Sequence, residues 1–304
     1  MKTIISYIRK YFYESDKRLL LFTTILTAIL IFANYYFRID DQLHDNPSFM
    51  TRFAGRYIIF LIAFGLPYLF YSLVSKQELL QQPPFVFLVL LAPAIFSLKA
   101  GLVLNIKISA NEAVNDYWNH IIYWPVLLLL VLILVFICWK IFDRAQPFYG
   151  TVRRNLDWKP YWIMLLIMIP LIAAASTQPD FLEVYPKLKL IFDETVQLQL
   201  TSFHKLLFEL SYGSDFIGIE LFFRGFLVLA FLKWAGKDAV IPMACFYCTI
   251  HFGKPLGECI SSYFGGLLLG IVVQNTRSMW GGLMVHLGIA WLMELGGYIG
   301  ALVK

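Results

Sequence analysis

Residues 121–139 read IIYWPVLLLLVLILVFICW, a run of 19 residues without Asp, Glu, Lys or Arg. A helix of this length rises about 28 Å, close to the roughly 30 Å thickness of the hydrocarbon core of a bilayer. An amphipathic helix on a soluble protein would carry polar residues on the face that meets water. The run therefore predicts a membrane-spanning helix, and similar runs recur along the chain.

The overall composition supports the same interpretation. Of the 304 residues, 59% are apolar and only 15% are charged, against about 25% charged in soluble domains. The mean hydropathy of +0.68 comes from long apolar runs separated by short charged segments. The formal charge of +5 is spread over many loops, so nucleic acid is not predicted as a partner. The composition thus excludes a soluble enzyme and favours an integral membrane protein.

We predict an all-α fold, namely a polytopic helical membrane protein with about eight or nine transmembrane helices. The predicted spans are Leu19–Phe37, Tyr57–Val74, Phe85–Leu104, Ile121–Trp139, Trp162–Ala175, Phe216–Leu232, Ala239–Ile250, Ile260–Val273 and Trp280–Val303. The fifth, seventh and eighth are shorter than the roughly 20 residues that a straight span needs. Flanking residues are therefore expected to extend these three helices.

The chain divides into three segments by composition. Residues 1–176 carry apolar spans with few ionisable groups, and residues 177–215 form an extramembrane loop with an amphipathic helix near 184–210. Residues 216–304 contain ionisable residues inside apolar segments, so chemistry is expected in this core segment. Counting Lys and Arg in the loops favours an N-terminus inside and a C-terminus outside.

Four ionisable residues stand out within the core segment: Glu220, Arg224, His251 and His286. A charged side chain in the middle of a bilayer costs about 2.5–3.5 kcal/mol or more, so such groups pair or line a cavity. An ion pair that makes a helix insertable, or a histidine that bonds a neighbouring helix, would be the plainer explanation. Together, a carboxylate and two imidazoles on three spans can deprotonate a water and stabilise an oxyanion, as amide hydrolysis requires.

At these residues the sequence resembles the CPBP family of intramembrane proteases. That family includes type II prenyl-protein (CAAX) endopeptidases and bacterial Abi and lysostaphin-resistance proteins. Its signature is Glu-Glu-x-x-x-Arg on one span, Phe-x-x-x-His on the next and His-x-x-x-Asn on a later one. The corresponding segments here are Ile219–Arg224, Tyr247–His251 and His286–Ala290, within a resemblance that covers about 216–295.

The resemblance implies a role for each matching residue. His251 would be the partner of the water-activating base, His286 the oxyanion donor, and Glu220 with Arg224 a supporting pair. Two positions depart from the signature, because Ile219 replaces the first glutamate and Ala290 replaces the asparagine.

The lead carboxylate therefore needs another source. Glu220 itself is the first candidate, and Glu294, eight residues after His286 on a shared helical face, is the second. Glu209 and Glu258 are further options, the first on the same face as Glu220 if the helix is continuous.

A divalent metal, zinc in particular, is a possible cofactor. His251, His286 and Glu220 would be its ligands, and the residue types alone do not decide whether the family needs a metal. A second zinc arrangement through Cys245, Cys248 and His251 is less favoured, because these residues lie in apolar sequence and drift around the helix.

The sequence therefore predicts an intramembrane endopeptidase in a bacterial inner membrane. Its substrate would be a membrane-embedded or lipid-anchored protein or peptide, cleaved by an activated water within the lipid bilayer. The main alternative is a catalytically impaired pseudoprotease that binds a peptide or acts as a maturation or immunity partner. A transporter is a third hypothesis, but no internal repeat supports it.

Overall fold

The computed structural model describes residues 2–75, 78–152, 156–191 and 200–303. The α-helices in these ranges are α1 (Lys2–Glu14), α2 (Lys17–Phe37), α3 (Ile39–His44), α4 (Phe49–Ser75), α5 (Pro83–Gly101), α6 (Glu112–Phe142), α7 (Lys159–Ala175), α8 (Pro179–Val184), α9 (Lys187–Ile191), α10 (Ser202–Glu220), α11 (Leu232–Ala235), α12 (Val240–Thr249), α13 (Leu256–Thr276) and α14 (Trp280–Val303). A π-helical segment, Leu221–Ala230, follows α10 directly. The described residues contain no β-strand, which confirms the all-α prediction.

Among the described residues, six helices are long and apolar enough to cross a membrane, namely α2, α4, α5, α6, α13 and α14. The predicted fifth span is the shorter apolar helix α7. The predicted eighth span is extended by flanking residues to 21 residues in α13, as expected, whereas α12, at the seventh, has only 10. The sixth span begins inside α10 and continues into the π-helical segment.

The predicted helix near 184–210 is only partly within the described residues. Two short helices, α8 and α9, precede residues 192–199, which lie outside the described part of the chain. A long helix, α10, begins beyond them at Ser202. The described residues at both ends of this stretch thus belong to separate helices.

The chain forms two compact units. The first contains residues 1–102, 133–156 and 221–280, and the second contains 103–132, 157–220 and 281–304. Each unit collects segments that are far apart in the sequence. Contacts between distant parts of the chain therefore hold each unit together.

In the first unit, α12 is the central helix and packs against α2, α4 and α13. Its close approach to α13 depends on small residues, because a Cβ at Gly266 would lie 3.3 Å from the Ala244 Cα atom. Phe246 of α12 belongs to a buried aromatic cluster, with ring centroids 4.8 Å from Phe60 and 5.2 Å from Phe223. This packing fixes the helix that leads to His251.

In the second unit, α14 packs against α7 through a face of glycines. A Cβ at Gly288 would lie 2.6 Å from Leu165 Cδ2, and one at Gly281 would lie 2.1 Å from the Tyr161 ring. Helix α10 approaches the same helix at Gly213, where the Trp291 ring leaves no room for a larger residue without movement. The absence of side chains at these points brings α14, and with it His286, close to its neighbours.

Candidate active site

Glu220 and His286 form a direct hydrogen bond inside the second unit. Glu220 is the last residue of α10 and is fully buried, and its Oε1 atom lies 2.8 Å from His286 Nδ1 on α14. An ionised carboxylate can only accept, so in that state Nδ1 carries the hydrogen and donates it. Such a bond to a charged acceptor is stronger than one between neutral groups.

Phe216 fixes the plane of the His286 ring. Its ring lies edge-to-face with the imidazole, with a centroid distance of 4.8 Å and an interplanar angle of 89°. Phe216 lies four residues before Glu220 on α10, so both contacts come from one face of that helix. The imidazole is therefore oriented by a carboxylate and an aromatic ring together.

In the first unit, His251 follows α12 and is held by the turn that precedes it. Its Nδ1 atom lies 3.0 Å from the backbone carbonyl oxygen of Tyr247, four residues earlier. Because a carbonyl oxygen can only accept, Nδ1 carries the hydrogen here as well. The neutral imidazole therefore has its lone pair on Nε2, the arrangement that a general base needs.

Arg224 lies in the π-helical segment and is fully buried. Its guanidinium carbon lies 3.8 Å from the centroid of the Tyr247 ring, which is a cation–π contact. The Tyr247 ring also contacts the His251 ring at a centroid distance of 4.8 Å. Arg224, Tyr247 and His251 thus form a continuous series of contacts, in a region where the helix departs from α geometry, as functional sites often do.

The structure gives the other candidate carboxylates separate surroundings. Glu294 is 2% exposed and accepts the backbone N–H of Lys187 with both oxygens, at 2.9 and 3.2 Å. Glu258 forms an ion pair with Lys254 at 3.3 Å. Both carboxylate oxygens of Glu209 are buried, and no hydrogen-bond partner for them occurs among the described residues. Of the four candidates, Glu220 is the one seen bonded to a histidine.

The described residues do not provide a complete set of ligands for the predicted metal centre. No group of three or more His, Cys, Asp or Glu side chains in the described part of the chain could hold a metal ion. The Cys248 thiol instead lies 3.9 Å from the thiol of Cys259, and both are buried. Since a structural or catalytic zinc needs at least three protein ligands, the described side chains do not fit zinc, and the metal assignment stays a prediction.

Three contacts at the site were not anticipated from the sequence. The Phe216 ring lies edge-to-face with His286, and Tyr247 supplies both a ring for Arg224 and a carbonyl for His251. The two contacts of Tyr247 had a signal, because Tyr247 occupies the aromatic position of the second motif. The contact of Phe216 had a weaker one, namely an aromatic residue one helical turn before Glu220.

A comparison with family models finds a match in the C-terminal part of the chain. Residues 210–292 match the model described as "Type II CAAX prenyl endopeptidase Rce1-like". This segment contains all three motifs, and the match supports membership of the CPBP/CAAX protease family, as the resemblance predicted. No curated protein and no solved structure matches the chain.

Proposed function

We propose, from the support for CPBP/CAAX protease family membership, that this chain is an intramembrane peptidase. It would hydrolyse a peptide bond in a membrane-embedded or lipid-anchored substrate by attack of an activated water. The observation that carries the proposal is the hydrogen bond between the fully buried Glu220 carboxylate and His286. A buried carboxylate is costly unless it is compensated, and here the compensating group is an imidazole that forms a hydrogen bond with it.

His286 is proposed as the oxyanion donor. With Nδ1 donating to Glu220, a proton on Nε2 makes the ring an imidazolium whose charge the carboxylate balances. The Nε2–H group can then donate to the oxygen of the attacked carbonyl as negative charge develops there. Glu220 is accordingly a positioning residue, which fixes the ring and stabilises its charged form.

His251 is proposed as the general base. Its Nε2 lone pair takes a proton from water, and the remaining hydroxide adds to the carbonyl carbon of the substrate. The same proton then passes to the amine nitrogen as the peptide bond breaks, giving a carboxylic acid and a free amine. The carbonyl of Tyr247 keeps Nδ1 protonated, so Nε2 is the nitrogen that acts.

Arg224 is proposed as a positioning residue in the first unit. Its guanidinium is packed on the Tyr247 ring, and the Tyr247 carbonyl holds His251. Lysine would not replace it well, because the planar guanidinium stacks on an aromatic face as a compact ammonium does not. An Arg224→Lys variant should therefore impair His251 without removing positive charge.

The second candidate is a pseudoprotease that binds a peptide without cleaving it. It is favoured by Ile219 and Ala290, which occupy the positions of a glutamate and an asparagine in the motifs. Ala290 is also buried, with 5% of its surface exposed. The double variant Ile219→Glu with Ala290→Asn distinguishes the two candidates. Cleavage that appears only in this variant would establish the pseudoprotease, whereas cleavage by the unaltered chain would exclude it.

The experiment uses the purified full chain in lipid nanodiscs. Two internally quenched peptides serve as probes, one with a prenylated cysteine near its carboxyl end and one with the same sequence and no lipid. We expect His251→Ala to abolish cleavage, while full activity of that variant would overturn the mechanism. His120→Ala is the matched control, because His120 also hydrogen-bonds through Nδ1 to the carbonyl of the residue four positions earlier.

The histidines should also act in the same reaction. If both contribute to one transition state, the double variant His251→Ala with His286→Ala should be little worse than the more impaired single variant. If the two histidines acted independently, the activity losses of the two single variants would multiply in the double variant. A multiplicative loss would therefore argue against the shared mechanism.

A further inference from the structure

The first helix, α1, lies next to a membrane span and is fixed to the first unit by one of its faces. Only two residues separate its end at Glu14 from the start of α2 at Lys17, and α2 is a candidate span. A linker of two residues reaches about 7 Å, so the end of α1 lies close to the start of this candidate span. Its inner face is held by Ile4 and Tyr11, which are 6% and 2% exposed.

Polar contacts at the end of α1 hold it in the same position. The backbone N–H of Asp16 donates to Asp238 Oδ1 at 3.2 Å, and Glu14 pairs with Lys237 at 3.3 Å. The helix is therefore ordered by the protein before any lipid binds. An ordered surface loses little conformational entropy when a ligand binds to it.

The outer face of α1 combines apolar and basic side chains. Ile5, Arg9 and Phe12 are all exposed and follow one another at helical spacing, so they form one stripe. Ile5 is 55% exposed and Phe12 38%, whereas Tyr13 beside them is 87% exposed. A basic side chain between two apolar ones is the pattern of a helix lying in the interface of a bilayer.

The charge of this segment is not balanced within the chain. Residues 1–18 contain five Lys or Arg and two Asp or Glu, which gives 5 − 2 = +3. Both acidic residues are already engaged, Glu14 with Lys237 and Asp16 with Arg18. In the part of the chain that the structure describes, Arg9 and Lys10 form no ion pair. A phosphate outside the protein would supply the missing negative charge.

We propose that the outer face of α1 is a preformed binding surface for the headgroups of anionic phospholipids. The lipid phosphate meets Arg9 and Lys10, and Ile5 with Phe12 enters the region of the glycerol and upper acyl chains. This surface is independent of peptide hydrolysis and applies equally to a peptidase and to a pseudoprotease. Its effect is to stabilise the first unit in a membrane rich in anionic lipid.

The test compares the purified full chain in nanodiscs of phosphatidylcholine alone and of phosphatidylcholine with phosphatidylglycerol. Each cation near an anionic surface should raise the affinity about fivefold, so we expect Tm to be about 2–4 °C higher in the anionic discs. The double variant Arg9→Gln with Lys10→Gln should lose most of this gain and keep its Tm in phosphatidylcholine. High salt should reduce the gain of the unaltered chain.

A matched control removes the same charge elsewhere. Lys107 and Lys205 are both exposed and lie in the second unit, and their double replacement by Gln should leave the gain intact. The proposal would be overturned if the rise in Tm in anionic discs persisted in the α1 variant. It would also be overturned if this rise were lost equally in the control variant. An equal rise of Tm on adding inorganic phosphate to phosphatidylcholine discs would assign the effect to dissolved anions and would also overturn it.

Discussion

Two buried carboxylates on helices of the second unit have different partners. Glu220, at the end of α10, is bonded to the imidazole of His286, while Glu294, on α14, is bonded to the backbone amide of Lys187. Both side chains are almost completely shielded from solvent. A backbone amide can only donate its hydrogen, whereas an imidazole nitrogen can either donate or accept one. In the proposed mechanism the first bond therefore takes part in chemistry, and the second holds the chain in place.

This difference separates two residues that the sequence analysis offered for the same role, Glu220 first and Glu294 second. Both lie in apolar segments, and both were candidates for the missing lead carboxylate. Burial and charge do not distinguish the two carboxylates, whereas the atoms that they bond do. We call a carboxylate that bonds an imidazole reactive, and one that bonds backbone N–H groups anchoring. Variants at reactive and anchoring positions test the distinction, beginning with the largest expected effect.

Among the variants that test this comparison, replacing His286 by alanine should cause the largest loss. The substitution removes the proposed oxyanion donor and leaves Glu220 buried without its imidazole, so kcat/KM should fall about 10³-fold or more. The measurement is initial cleavage of the quenched peptide in nanodiscs. His204→Ala, which alters a histidine bonded to Thr201 on the same unit, is the control. A loss of less than about tenfold would remove His286 from the mechanism.

Glu220→Gln should reduce kcat about 10²-fold with a smaller change in KM. The amide oxygen can still accept the Nδ1 hydrogen, so the ring keeps its orientation. The substituted side chain is neutral, so it no longer stabilises the imidazolium form of His286. A merely structural role would lower Tm in proportion to activity. An unchanged kcat with reduced stability would indicate that Glu220, like Glu294, only anchors the chain.

The same substitution at Glu294 should affect stability instead. Glu294→Gln weakens a charge-assisted bond to the Lys187 amide, and we expect a loss of about 1 kcal/mol in the free energy of unfolding. The cleavage rate of the folded protein should stay within about threefold of the unaltered chain. Thermal unfolding of both glutamine variants under identical conditions makes the comparison direct. A loss of activity at Glu294 comparable to that at Glu220 would contradict it.

The smallest effect concerns Asp16, an anchoring carboxylate in the first unit. It accepts the side chain of Arg18 and the backbone N–H groups of Arg18 and Leu19 at the start of α2. The hydrogen bond from the Arg18 side chain, aided by these amides, lowers the pKa of Asp16 to about 2. Because the pKa is depressed in the folded state, the stabilisation is complete above about pH 4 and is lost as the pH falls through about 2.

Asp16→Asn should therefore cost less than about 1 kcal/mol at neutral pH, since the site is partly screened by solvent and Asn is also a good helix cap. The difference from the unaltered chain should be constant between about pH 5 and 8 and disappear near pH 2. Denaturant unfolding in detergent at several pH values measures it. A difference in the free energy of unfolding that grows as the pH falls would contradict this prediction.

The sequence predicted the membrane helices because their signal is local. A run such as 121–139 can satisfy its backbone only as a helix in lipid, whatever surrounds it. The bond between Glu220 and His286 could not be predicted in this way. It joins residues 66 positions apart, and its existence depends on the rotation of α10 relative to α14. The anchoring of Glu294 likewise depends on the path of a loop that no periodic pattern fixes.

The three sequence motifs identified candidate functional residues, which hydrophobic periodicity alone does not do. They selected Glu220, Arg224, His251 and His286 from many polar residues, and they drew attention to Ile219 and Ala290. They did not predict that the helix would change to π geometry at Leu221–Ala230, because apolar residues fit either geometry equally well. They also assigned no purpose to Tyr247.

The glycine at position 288 has a consequence for how this chain can vary. It touches no reacting group, yet it lies two residues from His286, at a point where a methyl group would require the end of the Leu165 side chain to move. An unbiased screen for inactive variants should therefore recover residues larger than alanine at this position beside changes at the polar residues. The tolerance of the protein to mutation is limited as much by where it lacks a side chain as by where it carries a charge.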